Sequence, residues 1–128
     1  MKIVALIARI LIGLMFVVFG LNGFLHFLKM GAMPDNPGGH FMTILTDAHY
    51  FYVVSGLMVL TGILFLINRF VPLALVLIGP LIVNIDLFHI LLQPTNFVPA
   101  VVATILWFVI FYSVRSAFTG IFQAKVNS

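Results

Sequence analysis

A chain of 128 residues that is 63% hydrophobic and only 7% charged is excluded from the ordinary soluble class, in which about a quarter of residues carry charge. So small a fold leaves much of its area exposed, so the bilayer must be the solvent for most of it, with room for one compact domain. The net charge of +3 fits a basic rim at a membrane and gives no ground for a nucleic-acid partner, while the absence of cysteine excludes disulfides, thiolate-bound clusters and dithiol relays.

The first apolar stretch predicts a helix over 3–29, long enough to cross a bilayer, which takes about 20 residues. Lys2 followed by an apolar run resembles a signal peptide. The run is too long, however, Arg9 interrupts it, and no small-residue cleavage site closes it, so it reads as a retained helix. Arg9 lies near enough to the end to snorkel to the headgroups. Gly13, Gly20 and Gly23 allow a neighbouring helix to approach closely.

Residues 30–46 read as an outer loop, built on the turn chemistry of Pro34-Asp35-Asn36-Pro37-Gly38-Gly39. His40–Leu45 is short and mostly apolar, a turn of interfacial helix or a fold-back over the bundle, with His40 solvated. The second helix is predicted over 47–67, with Asp47 as N-cap. The third covers 71–92, with Pro72 in its first turn and Pro80 inside, where it should kink the helix and free a backbone carbonyl. Gln93-Pro94-Thr95-Asn96 is a tight turn. The fourth helix covers 97–118, with Pro99 in its first turn, Trp107 and Tyr112 along it and Arg115 at its end.

Short connections between four such helices predict an all-α, integral membrane, up-down-up-down four-helix bundle. Lys2, Arg9, Arg69, Arg115 and Lys125 then fall on one side and only Lys29 on the other. The positive-inside rule places the N- and C-termini in the cytoplasm and the turns at 30–46 and 93–96 outside.

Five polar residues stand out inside the apolar stretches: Asn22, His26, His49, Asp86 and His89. From the helical rise, Asp86 lies roughly 5–8 Å and His89 roughly 10–12 Å outward of the midplane, with Asn22, His26 and His49 at roughly 8–15 Å on the same side. Asn22 and His26 share a face of the first helix, and Asp86 and His89 share a face of the third. Asn84 points elsewhere, toward another helix or a carbonyl freed by Pro80.

Three readings of this cluster stay open. It is a structural network in which Asp86 accepts from a histidine and Asn22 bonds across helices. It is a pocket for a polar ring with an apolar tail, a quinone or lipid head, with Phe24, Tyr50, Tyr52 and Phe88 nearby. Or it is a metal or haem site, in which Asp86 and His89 with His26 and His49 supply three nitrogens and one oxygen, or His26 and His89 bracket a haem. No nucleophile, phosphate loop or carboxylate pair is present, so a self-sufficient hydrolase or transferase is not expected. An Asp beside a His is, however, suited to a proton relay. Four helices without an inverted repeat also leave little for a transporter to rock.

The run Arg9-Ile10-Leu11-Ile12-Gly13-Leu14-Met15-Phe16 with Phe19-Gly20, and above all Leu66-Ile67-Asn68-Arg69-Phe70-Val71-Pro72-Leu73-Ala74 followed by Pro80, Val83-Asn84 and Phe88-His89, resembles the DoxX-like membrane proteins over most of the chain. The resemblance implies a four-helix membrane fold. It also implies a link to thiosulfate and quinone redox chemistry and to membrane oxidoreductase assemblies, and one eukaryotic relative acts as a receptor-assembly chaperone. The lysine that many members carry after the first-helix glycine is absent here, where the chain reads Leu21-Asn22-Gly23. No role resting on it carries over, and the missing cysteines argue against direct sulfur chemistry.

The resemblance and the common depth of the polar residues together imply a non-catalytic accessory subunit of a membrane redox assembly in a bacterial inner membrane. It would hold a quinone-like or lipid ligand through Asn22, His26, His49, Asp86 and His89. The alternatives are an assembly factor for other membrane proteins with a purely structural cluster, and metal or haem binding. Expected partners are membrane lipids, other membrane proteins and, as an open alternative, a second copy of the chain.

Overall fold

A computed structural model describes residues 2–25, 35–92, 97–121 and 124–125. Every regular element among them is helical: α1 (Lys2–Leu25), α2 (Pro37–Asp47), α3 (Tyr50–Ile67), α4 (Val71–Leu87) continuing into a π-helical turn (Phe88–Leu92), and α5 (Val98–Ser113) followed by a 3-10 turn (Arg115–Phe118). His26, Lys29 and the expected turn at 93–96 lie outside the described residues.

α1, α3 and α4 with its π turn are each long and apolar enough to cross a membrane. Only 28, 28 and 17% of the residues in their most apolar windows are buried. Most of their large side chains therefore face outward, which is stable only in an apolar solvent. α5 is 16 residues long, about 24 Å, and stops short of the predicted 97–118. At Val114 the backbone leaves helical geometry, and the 3-10 turn swings Phe118 back to bury it, its ring 4.9 Å from that of Phe111.

The expected loop 30–46 contains α2, a correction with a clear cause. Asn36 is an extended N-cap whose side chain accepts from the Gly39 amide at 2.8 Å, and Pro37 occupies the first turn. What reads as turn chemistry is a helix start. A second correction follows from it. Asp47 is the last residue of α2, not the N-cap of α3. That place belongs to His49, whose left-handed backbone (φ 59) reverses the chain without a side-chain cap. Pro72 and Pro99 sit in first turns as expected.

α1 packs most extensively on α3 and also on α5, α3 on α4, and α4 on α5, while α2 rests on α3 and the π turn. Ile12, Phe65, Leu75, Ile78 and Ile110 are fully enclosed at the centre. The α1–α3 seam is antiparallel and lined with small residues. Gly13 meets Gly62 and Gly20 meets Ser55, so a step of seven along α1 matches a step of seven back along α3. Arg9, expected at the headgroups, turns first to α3: its Nη1 donates to the Phe65 and Leu66 carbonyls at 2.6 and 3.2 Å. α3 itself ends in a left-handed Asn68, with the Arg69 amide donating to Leu64 and the Asn68 amide to Phe65, the Schellman arrangement. Across the bundle, Trp107 Nε1 of α5 donates to the Leu75 carbonyl of α4 at 3.0 Å. Gly79 one turn on leaves the indole its space.

Candidate functional site

Near its end α4 changes from α to π geometry at Phe88. Such turns are rare and often coincide with functional sites. Asp86 lies just before the change and His89 just within it, both half-buried. Thr104 of α5 faces them, its Oγ1 donating to Asp86 Oδ2 at 2.8 Å while lying 2.9 Å from the Ala100 carbonyl. One hydroxyl hydrogen serves only one of these acceptors at a time, so the carboxylate and the backbone compete for it.

Asp86, His89 and Thr104 line one open groove of about 430 Å³ between α4 and α5, within the size range of small-molecule sites, about 300–1,000 Å³. Its remaining walls are Ile90, Phe97, Ala100, Val101 and Ile105. The side chains lining the groove are thus apolar except for one carboxyl, one imidazole and one hydroxyl. The His89 ring stands edge-on to Phe88 at 5.3 Å, and Phe88 meets Phe41 at 6.0 Å, which brings α2 over the π turn.

Of the five residues expected to share a site, Asp86 and His89 share this groove. Asn22 is half-buried on α1 and does not line it. His49 is exposed at the corner before α3 and stacks on Tyr52 (5.4 Å), which stacks on Phe24 (5.5 Å). The cause is α2, which uses up residues 37–47 and leaves His49 to make the corner. His26 lies outside the described residues. Among the described residues no group of three or more His, Asp or Glu side chains comes together as a metal set. His40 is on α2 and exposed, paired with Asp35 at 2.9 Å. Among the described residues Asn84 bonds neither across helices nor to the carbonyl Pro80 frees. Its Nδ2 donates to the carbonyl of Pro80 itself, one turn back, at 2.9 Å.

Among the described residues Asp86 accepts from a threonine, where the structural reading expected a histidine. Thr104 escapes a sequence reading because hydroxyls in apolar helices usually bond to their own preceding turn, as this one also does. The signal was its isolation: between Val98 and Phe111 it is the one aliphatic hydroxyl. No protein-family model, curated protein or solved structure matches this chain. The chemistry of the groove therefore carries the functional reading.

Proposed function

We propose that this chain is a DoxX-like membrane bundle of up-down-up-down topology, with both termini cytoplasmic, in a bacterial inner membrane. It acts there as a non-catalytic accessory subunit of a redox assembly and holds the polar ring or head of a quinone-like or lipid ligand at Asp86, His89 and Thr104. The antiparallel α1–α3 seam supports the topology. So do the five cations that fall on one side of an alternating chain. α5 crosses with the help of its flanking Phe97 and the 3-10 turn.

One observation carries the ligand reading: a carboxyl, an imidazole and a hydroxyl converge in an otherwise apolar groove that opens along the lipid-facing side of α4 and α5. A ring carbonyl or hydroxyl takes its hydrogen bonds there, and an apolar tail continues along the exposed Ile90, Val101 and Ile105 surface. To test this, the protein is purified in mild detergent and extracted with organic solvent, and quinone and phospholipid per chain are quantified by mass spectrometry. His89→Ala and Asp86→Ala should each lower the retained ligand roughly tenfold, the worth of about one buried polar contact. Unchanged ligand content in both variants overturns the reading.

A second reading has its own observation. Asp86 is already paired across helices with Thr104, which is what a register-fixing clamp in a non-catalytic assembly factor does. Under that reading Asp86→Ala lowers the unfolding temperature in detergent and leaves bound small molecules untouched.

A further inference from the structure

At the other end of α4, about 22 Å from Asp86 by helical rise, lies a larger groove of about 590 Å³ lined from α1, the α3–α4 corner and the end of α5. Three of the chain's six Lys and Arg residues face it: Lys2, Arg9 and Arg115. The chain has only three acidic side chains, Asp35, Asp47 and Asp86, and none of them lines it. A concave site with three cations and no carboxylate concentrates positive potential and attracts an anion.

The two arginines are also held in place. Arg9 Nη1 is engaged by the Phe65 and Leu66 carbonyls. Arg115 Nη1 donates to the Tyr112 carbonyl at 2.7 Å, and its guanidinium lies 4.1 Å over the Tyr112 ring. Among the described bonds both arginines use Nη1 alone, so Nε and Nη2, three of the five donors of each, remain for a further acceptor. Fixing the guanidiniums beforehand reduces the ordering cost of binding. The N-terminus of α4 opens on the same groove at Val71 with no side-chain cap, adding its partial positive charge. Asn68 and Ser113 add neutral polar groups to the lining, the walls at Ala5, Leu6, Ile110 and Val114 are apolar, and the flank continues over exposed Ile3 and Leu6.

We propose that this groove binds the phosphate of an anionic phospholipid headgroup, with the acyl chains lying against the apolar flank of α1. A phosphate accepts the forked donors of two arginines. The apolar walls beside the cations favour a lipid over a free ion. Lys2 at the start of α1 and Arg115 just past the end of α5 stand where apolar helices meet the interface, the depth at which headgroups lie.

The test uses the full chain in dodecyl maltoside. Equal amounts of short-chain phosphatidylglycerol and phosphatidylcholine are added, and adducts are counted by native mass spectrometry. The wild type should retain phosphatidylglycerol in preference. Lys2→Gln with Arg115→Gln should cut that retention roughly 10- to 30-fold, at about one polybasic contact per residue, and leave phosphatidylcholine unchanged. Arg9 is kept, because it also ties α1 to α3. If the double variant folds poorly, Lys2→Gln alone should still show a several-fold loss, since Lys2 is exposed at the first turn of α1. Arg69→Gln, which removes an exposed cation that lines neither groove, should leave phosphatidylglycerol retention intact, separating this site from a general basic rim. Equal retention of the two lipids by the wild type overturns the proposal, as does an unchanged preference in the variants. Full displacement of the lipid by equimolar inorganic phosphate refutes the lipid assignment in favour of the free ion.

Discussion

Gly62→Ala should weaken the bundle although it adds only a methyl group to a helix. A Cβ built on Gly62 lies 2.9 Å from the Gly13 carbonyl oxygen, 2.9 Å from the Val17 nitrogen and 2.8 Å from Val17 Cγ2. Comfortable carbon contacts fall near 3.5–4.0 Å. Two of the three atoms belong to the α1 backbone, so no rotamer change relieves the clash, and the helices must separate by roughly 0.5–1 Å. Overpacking of this kind costs about 1–3 kcal/mol. The gain in helix propensity from glycine to alanine returns only about 0.5–1 kcal/mol. The net loss therefore spans about 0–2.5 kcal/mol, centred near 1, and the deficit against a glycine-to-alanine change in open space is the full overpacking cost. Gly56→Ala on the same helix is the control. Its Cβ meets only Phe24 Cζ at 3.9 Å, so it should keep the propensity gain and be neutral or stabilising. The two variants have the same composition, so SDS-driven unfolding in mixed micelles compares them directly, followed by Trp107 fluorescence. A Gly62→Ala protein as stable as Gly56→Ala would refute the close α1–α3 contact.

Three further outcomes follow from particular bonds. Arg9→Met keeps the apolar stem and removes the donors to the Phe65 and Leu66 carbonyls; it should cost about 1.5–3 kcal/mol in the same unfolding assay, and a loss near zero would show that water replaces those bonds freely. Asn36→Ala removes the α2 cap and should destabilise that helix locally by about 0.5–2 kcal/mol, seen as faster amide exchange confined to residues 38–43. Asp86→Ala and Thr104→Val should be non-additive, with a coupling of at least about 0.5 kcal/mol; strict additivity in the double-mutant cycle would mean that the cross-helix bond at 2.8 Å does not persist in the bilayer.

The apolar runs of the sequence place α1, α3 and α4 within a few residues, because length and hydropathy alone decide what crosses a membrane. Pro72 and Pro99 mark helix starts for an equally local reason: a missing amide costs nothing there. α2 is harder to read. Gly38 and Gly39 are poor helix formers, and they are tolerated because both are buried where α2 begins. The Asn36 cap and Pro37 outweigh the turn signal. At the site, the spacing of three between Asp86 and His89 places both on one face of the helix, and both line one groove. The azimuth of the other helices was not legible. The left-handed corner at His49 and the π turn at Phe88 both shift the phase that a regular 3.6-residue period assumes, so His49 and Asn22 part from the other two.

The two helix pairs are built by different physics, and this bears on where function can reside. The α1–α3 seam is closed against backbone at Gly13, Gly20 and Gly62, with Gly23 against the Ser55 side chain, and is latched at one end by Arg9. A seam of that kind has little room to rearrange. At the α4–α5 seam the one glycine, Gly79, stands at ordinary van der Waals distance from Trp107. This seam is held instead by side-chain bonds, Trp107 to Leu75 and Thr104 to Asp86, beside a helix already weakened at Pro80. Both grooves border α5 and α4. The first pair is therefore the frame, and both proposed ligand sites border the second pair, the larger of them walled by α1 as well. Substitutions in the glycine seam should act on unfolding before binding, and those at Asp86, His89, Thr104, Lys2 or Arg115 on binding before unfolding.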